Sequence, residues 1–439
     1  VASSKNHPLE SSLALVSDNI SWIFEYYSSD SFSSQISNPR HSHYSFVLWF
    51  PWIPVSTNIF CRMNIALQVA DLDASRIDGT RVYLLELLKR FGTLAPPDVH
   101  FHLYHKKIFN PELTPPFFTN YTLHSIHFPS QWMQTRFALA MFLSRPEKIF
   151  FPVQAVPVFL PKKSHVTITV HDLAFKKYPE TFTRTTRLKL NFLLNRAIAR
   201  AQHIIAVSEA TKDDLFIFFP WLPKNRVHVI HHGFNRERFE TRLLKQEKDS
   251  LLNTYGLHDQ SYILYVGALQ PRKNLARLIE AFTLLKQDTP SAKLVLAGER
   301  AWLSREIFVA KERSPYRDDI FILGKIPSAH LPALYQGARC FAFPSLYEGF
   351  GLPILEAFAS GVPVLTANNS SLPEVAGEAA LFTDAFDTHM IATQLTRLWK
   401  DEALRQSLIR QGEERLKKFS WDTCAQETLS LILEREYHA

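Results

Sequence analysis

The sequence predicts an α/β protein made of two doubly wound parallel sheets in tandem, facing each other across a cleft. Three observations predict it. From Met63 onward, short apolar runs alternate with amphipathic helical stretches, the pattern of parallel strands with helices on both faces. The alternation breaks once, in the charged and poorly periodic stretch 236–250, and then resumes. At 439 residues the chain is long enough for two or three domains.

Residues 1–62 are rich in Ser, poor in charge and without sustained period. Met63 opens Met63-Asn-Ile-Ala-Leu-Gln-Val69, a good buried first strand. Translation is therefore expected to start at Met63, and the segment before it to be extraneous or disordered. The alternative is a membrane anchor in 44–61, but Pro51 and Pro54 interrupt that run and its 18 residues barely reach spanning length.

In the first half, 65–69 reads as a strand, 82–91 as a helix, 148–151 and 166–170 as strands, and 184–200 as a helix. A strand at 203–207 leads to a helix from Glu209 with Ser208 at the N-cap. A strand at 227–230 closes with His231-His232-Gly233. The domain boundary falls in 236–250, giving a first domain of 63–243 and a second of 244–418. In the second, strands are predicted at 262–267, 293–297, 320–323, 340–343 and 363–366, and helices at 274–286, 330–336 and 353–360. The tail 419–439 carries a helical pattern over 423–437 and is expected to pack back on the first domain.

Composition narrows the function classes. Apolar residues make up 46% and charged residues 21%, ordinary for a globular protein. Cys61, Cys340 and Cys424 are scattered, with neither metal-ligand spacing nor a disulfide framework, which points to a reducing cytoplasm. The net charge of +7 permits anionic partners. Nucleic acid is not expected, since no zinc finger, basic run or RNA-binding aromatic motif is present.

Four clusters carry candidate chemistry. Pro344-Ser-Leu-Tyr-Glu348-Gly349-Phe350-Gly351-Leu352-Pro353-Ile-Leu-Glu356 lies between a strand and a helix. Gly349 and Gly351 lack a Cβ, so a ligand can reach the backbone amides. Those amides at a helix start favour an anionic or hydroxyl-rich ligand, and two flanking carboxylates suit vicinal hydroxyls. The same residues equally suit a tight loop whose Glu stabilises a first helical turn. In Val266-Gly267-Ala-Leu-Gln-Pro271-Arg272-Lys273-Asn274, adjacent cations stand at a helix start. That placement is unfavourable unless an anion is near, which points to a phosphate; a solvated basic loop is the other reading. His171-Asp172 ends a strand and faces the crevice, or is a polar turn capped by Asp172. Asp78-Gly79-Thr80-Arg81 is a weak phosphate loop without the dinucleotide glycine pattern. His231-His232 reads as a turn, because no further metal ligand stands at a useful spacing.

Together these residues resemble the family 4 retaining glycosyltransferases, particularly bacterial mannosyltransferase-like members. The likeness runs from about Met63 to Trp421 and is strongest in 262–274 and 338–381, including Ser370-Ser-Leu-Pro-Glu374-Val-Ala-Gly-Glu. The resemblance implies the GT-B fold, with two Rossmann-like domains around a deep cleft. It implies that Arg272 and Lys273 bind the donor diphosphate. Glu348 would hold the donor sugar beside the amides of Phe350, Gly351 and Leu352, and Glu356 the ribose. His171 would sit at the reacting centre, and Gly79 and Gly267 beside the donor. It also implies no metal and no cofactor beyond the sugar nucleotide, with GDP-mannose the first expectation. The expected acceptor is a glycan or a lipid-linked acceptor in cell-surface polysaccharide synthesis, and the expected location is the cytoplasm, with peripheral contact on the inner face of the cell membrane the further reading. Two departures stand out: one glycine rather than two before Arg81-Val-Tyr83, and His-His-Gly where the family has Pro-Asn-Gly.

The alternatives are a UDP-sugar-dependent transferase, a non-catalytic sugar-nucleotide-binding protein, and a nicotinamide oxidoreductase, the last lacking its glycine fingerprint. The helix 184–200 holds five basic residues and no acidic one. Lys189, Arg196 and Arg200 fall on one face and Leu190, Leu194, Ala197 and Ile198 on another. A basic stripe against an acidic membrane surface and a solvated helix face are both open readings.

Overall fold

The computed structural model describes residues 63–435, apart from 75, 129 and 130. The segment 1–62, with the proposed start at Met63 and the alternative anchor in 44–61, lies outside the described residues.

The first sheet has seven parallel strands: β1 (Met63–Gln68), β2 (Val99–His105), β3 (Tyr121–Ser125), β4 (Lys148–Phe151), β5 (His165–Val170), β6 (His203–Ala206) and β7 (Val227–Val229). Their order is β3-β2-β1-β4-β5-β6-β7. The second has six: β8 (Tyr262–Val266), β9 (Lys293–Ala297), β10 (Ile320–Gly324), β11 (Cys340–Phe343), β12 (Val364–Ala367) and β13 (Ala380–Thr383), in the order β10-β9-β8-β11-β12-β13. In each sheet the chain's first strand is central, and the order reverses beside it. Ligands of such sheets bind at that reversal, outside the carboxyl ends of the strands. Residues following β1, β5, β8 and β11 therefore meet across one cleft.

The central strands are continuous apolar runs because helices cover both faces. Ile65, Ala66 and Leu67 in β1, and Ile263, Leu264 and Tyr265 in β8, are fully buried. Strands β2, β3 and β13 escape the sequence reading. In β2, His100, His102 and Tyr104 alternate with apolar side chains, and that mixed run gives no continuous apolar signal. His102 Nδ1 and His124 Nε2 of β3 lie 2.9 Å apart, so these imidazoles spend their polarity on one another.

Helix α1 (Gly79–Leu94) starts three residues before its predicted onset, because Asp78 caps it by accepting from Arg81 N at 3.3 Å. Helix α2 (Arg184–Arg200) buries Leu194, Ala197 and Ile198, and helix α3 (Glu209–Phe218) has Ser208 as its cap. The charged stretch 236–250 is largely helical, in Arg236–Glu240 and Lys245–Asn253. It belongs to the second domain's packing: Phe234, Phe239 and Leu252 lie in that core, and Leu243 N donates to Gln336 Oε1 at 3.1 Å. Helix α4 (Leu275–Asp288) follows the Arg-Lys pair, and α5 (Leu352–Ala359) follows the Glu348 loop.

The final helix α6 (Trp421–Leu433) joins the first domain's core, where Trp421, Cys424, Leu429 and Ile432 pack with Leu67 and Leu84. To reach it the chain crosses the segment leaving β7. A Cβ at Gly233 would lie 2.1 Å from the Trp421 nitrogen, so only glycine fits where the two interdomain segments touch.

Candidate active site

The cleft's charged centre is built by two loops of the second domain. After β8, Pro271–Lys273 form one helical turn and Asn274 takes a left-handed conformation, φ 62°. Its carboxamide donates to Pro344 O at 3.0 Å and Ala385 O at 2.6 Å, tying the β8 loop to the loops after β11 and β13. Arg272 and Lys273 thereby point at Glu348. Arg272 Nη1 donates to Glu348 Oε2 at 3.0 Å and to the Tyr347 carbonyl at 2.8 Å, and Lys273 Nζ to Glu348 Oε1 at 2.5 Å. The ammonium also lies 5.0 Å from the centre of the Phe343 ring.

Lys273 and Glu348 are buried and Arg272 is half-buried, so the adjacent cations do not form a solvated basic loop. The anion that offsets the adjacent cations in the structure is Glu348 itself. Burial pushes the Glu348 carboxyl up, but Lys273 and Arg272 outweigh it and hold the group below the usual carboxylate range. Burial, with Arg272 adding repulsion, pulls Lys273 down to about 8 against the attraction of Glu348.

Downstream, Glu348 N donates to Ser370 Oγ at 3.0 Å, and the Ser371 hydroxyl lies 2.9 and 2.7 Å from the Glu348 and Phe350 carbonyls. Gly351, at φ 117°, is the cap of α5. The amides of Phe350 and Gly351 have no acceptor among the described residues, so this helix start presents free donors to the cleft. Glu356, four residues further into α5, accepts from Tyr335 Oη at 2.8 Å through one oxygen, and burial pushes its carboxyl up.

Gly349 also departs from its sequence reading. A Cβ there would lie 1.7 Å from the His171 carbonyl oxygen. The approach of the first domain by itself requires a glycine here. Gly267 is required by its own φ of 150°, and a Cβ there would also lie 2.7 Å from Tyr265 Oη.

The first domain contributes a neutral imidazole, His171, and a carboxylate, Asp172. His171 Nε2 is 2.8 Å from Pro152 O; a carbonyl only accepts, so this nitrogen carries the proton. Burial pulls the pKa of His171 down, keeping it neutral. Its ring stacks on His232 at 5.6 Å and meets Tyr83 edge-on at 5.1 Å. Asp172 does both things open to it, accepting from Ala174 N at 3.2 Å and lying 3.6 Å from Arg272 across the cleft. Gly79 faces Leu352, with its Cβ position 3.3 Å from Leu352 Cδ1. Arg81 does not face the cleft centre; it pairs with Asp78 and donates to Asp71 O.

Sequence reasoning misses the residues that hold the two domains together. Glu374 accepts from the first two amides of α3, Glu209 N at 2.8 Å and Ala210 N at 3.2 Å, and from His231 Nε2 at 2.7 Å. Tyr347 Oη donates to the buried Asp214 at 2.8 Å, and Asp214 also receives Lys177 at 2.9 Å. Ser208 Oγ donates to Gly349 O at 2.7 Å. Pro373-Glu374 reads locally as an ordinary helix start, and nothing within the segment signals a partner 165 residues away. His231-His232 forms no turn but lies in irregular backbone, with His231 on Glu374 and His232 between Tyr83 and Phe350. Among the described residues no group of three or more His, Cys, Asp or Glu is placed to hold a metal ion.

The architecture matches solved structures along most of the chain. Sucrose-phosphate synthase from Thermosynechococcus elongatus superposes with a TM-score of 0.66 at 20% identity, over 85% of this chain and 99% of that one. Anabaena HepE, solved with UDP and glucose, gives 0.66 at 18% identity, over 85% of this chain and all of that one. Both likenesses define the fold, two Rossmann-like domains in the GT-B arrangement. Residues 78–238 match Glycosyltransferase Family 4, and residues 248–415 match Glycosyl transferases group 1. The O-antigen chain mannosyltransferase B of Escherichia coli is 32% identical over 274 residues, 62% of this chain and 71% of that protein. The chain belongs to the family 4 glycosyltransferases.

Proposed function

We propose that the protein is a retaining, metal-independent mannosyltransferase that moves mannose from GDP-mannose to a hydroxyl of a glycan or lipid-linked acceptor in cell-surface polysaccharide synthesis. The observation that carries this reading is the convergence of Arg272, Lys273 and Glu348 beside the free amides of Phe350 and Gly351. The family establishes glycosyl transfer; the relative's name, O-antigen chain mannosyltransferase B, favours mannose.

The donor diphosphate competes with Glu348 for the two cations. When it takes them, the Glu348 oxygens turn to the hydroxyls of the sugar. Charge then develops on the leaving diphosphate, where Arg272, Lys273 and the helix amides stabilise it most in the transition state. Fixed cations thus do what a divalent ion would do. The acceptor hydroxyl attacks the face the diphosphate leaves, and a leaving phosphate oxygen takes its proton. His171, neutral and with its proton committed to Pro152 O, packs the reacting centre and excludes water rather than exchanging a proton through Nε2. Glu356 keeps one oxygen beyond Tyr335 for the ribose.

The HepE structure, solved with UDP and glucose, supports the second reading, a UDP-sugar donor. Purified protein incubated with GDP-mannose, UDP-glucose and other sugar nucleotides decides between them by nucleoside diphosphate release. Release from GDP-mannose that survives EDTA, with an α-linked product by NMR, is expected. Loss on chelation restored by manganese contradicts the metal-free mechanism.

We also propose peripheral contact with an acidic membrane through α2. No described helix is long and apolar enough to cross a membrane. Lys189 is exposed, whereas Arg196 and Arg200 spend their guanidiniums on the carbonyls of Val158, Pro161 and Ser164. Leu188 and Phe192 on the same helix are 68% and 54% exposed, which adds an apolar contribution beside the basic one. Co-sedimentation of residues 63–439 with anionic vesicles at low salt tests this; protein left in the supernatant rejects it.

A further inference from the structure

A cavity of about 420 Å³ opens beside the Glu348 loop, at the carboxyl ends of β12 and β13. None of the donor contacts proposed above uses it. Asn368 and Asn369 follow β12, Asp384 and Phe386 follow β13, and Tyr178 enters from the first domain. Its size falls in the range of small-molecule sites, roughly 300–1,000 Å³.

Three features define what fits. First, the walls pair flat aromatic faces, Tyr178 and Phe386, with planar amides and a carboxylate. Aromatic faces pack on the C–H face of a sugar ring, and amides and carboxylates bind its hydroxyls in pairs. Phe386 is 59% exposed, so the fold leaves its ring uncovered. Among the described residues, neither the Asn368 carboxamide nor the Tyr178 hydroxyl has a hydrogen-bond partner, so folding has not spent them. Second, the charge is wrong for an anion. Asp384 is the charged residue of the lining, and no cation joins it. Arg277 lies over Phe386 but is not part of the lining, and its Nη1 donates to Asn274 Oδ1 and Ala385 O. Third, the cavity is mechanically part of the reaction centre. Asn369 donates to Ser345 O at 3.3 Å, Ser370 Oγ links Asn369 Oδ1 to the Glu348 amide, and Asn274, next to Lys273, holds Ala385 in the cavity wall. Because Tyr178 belongs to the other domain, the site is complete only when the cleft is closed.

We infer that this cavity is a subsite for the acceptor, and that its ligand is a neutral saccharide unit, not a phosphorylated one. The inference rests on the glycosyl-transfer reading and names the acceptor's chemistry at that site.

The test is ligand-observed saturation-transfer NMR on the full chain with mannobiose, N,N′-diacetylchitobiose and mannose 6-phosphate. At least one neutral disaccharide is expected to bind, and mannose 6-phosphate to bind about tenfold more weakly or not at all. Tyr178→Ala and Asn368→Ala should each weaken the neutral ligand about tenfold, and Tyr178→Phe, which keeps the ring, much less. GDP and UDP titrations of the same variants report on the donor site separately and are expected to match the unaltered chain. Binding of no neutral saccharide, binding indifferent to Tyr178→Ala and Asn368→Ala, or preference for the phosphorylated sugar overturns the subsite. Failure of the unaltered chain to bind either nucleotide overturns the donor reading and leaves the saccharide result to stand by itself.

Discussion

At the ends of β8 and β11 the second domain buries Arg272, Lys273 and Glu348 within ion-pair reach of one another. At the ends of β5 and β7 the first domain offers the neutral rings of His171 and His232, with Tyr83 of α1 packed against both. The two faces meet where Gly349 lies under the His171 carbonyl. The difference assigns most of the electrostatic work to the second domain, with Asp172 joining it from 3.6 Å across the cleft, and the steric and positional work to the first. Substitutions in the second should change how charge is stabilised. Substitutions in the first, or at the seam, should change how often the cleft is correctly closed.

The largest expected effect tests the charged face. Lys273→Ala should lower kcat by roughly 100- to 1,000-fold, the size of other lost transition-state donors. Glu348→Gln should also lose turnover, with nucleoside diphosphate affinity held or increased, since the cations no longer have an internal partner. Equal affinity losses in Glu348→Gln and Glu356→Gln contradict the separate roles.

Next comes the seam. Gly349→Ala puts a methyl onto the His171 carbonyl and should cost up to about 100-fold in kcat/KM by misplacing the reacting groups. Nucleoside diphosphate binding, measured by calorimetry, should stay near its original value, because that site lies within the second domain. A parallel loss of nucleotide affinity would merge the two faces into one function.

The charged face should also show in the pH profile. Lys273 acts as an ammonium, and burial lowers its pKa from 10.5 to about 8. It is therefore charged below that pH and loses its charge above it, so kcat/KM should fall as pH rises through about 8. Lys273→Arg should move that alkaline limb upward even if the rate is lower. A profile flat to pH 10 would assign the cationic role to Arg272 alone, whose guanidinium Glu348 and Asp172 hold protonated against the cost of burial.

The smallest effect concerns the ribose carboxylate. Glu356→Gln should weaken GDP about tenfold, the loss of one charged hydrogen-bond acceptor, and Tyr335→Phe only a few-fold.

The charged face is the one legible in sequence, for a physical reason. Arg272-Lys273-Asn274 and Glu348 through Glu356 are each contiguous runs between a strand and a helix, so local spacing places them at a strand's carboxyl end. Their mutual pairing is not legible: an adjacent cation pair announces that an anion is near, but not that the anion is Glu348, 75 residues on from Lys273. The seam is hidden for the same reason. Tyr347 with Asp214, and Glu374 with α3, are contacts of long separation between segments that each look complete locally. In the fold, the parallel core strands declare themselves as apolar runs, whereas β2 and β3 interleave histidines with apolar residues and look like loop.

The return of α6 to the first domain has a consequence for how the polypeptide matures during synthesis. Leu67 and Leu84 find Trp421, Cys424 and Leu429 only when the last helix has emerged. The second domain, continuous from Phe234 to Phe419 in its core, has all its apolar partners earlier. The usual order, amino-terminal domain first, is therefore inverted at the level of completed cores. About 200 residues separate the end of β7 from the end of α6, which at roughly 5–20 residues per second leaves the first core unfinished for on the order of 10–40 s. Over that interval the apolar surface that α6 will cover is exposed, and a released chain truncated before Trp421 should be cleaved readily in its first domain while its second resists protease.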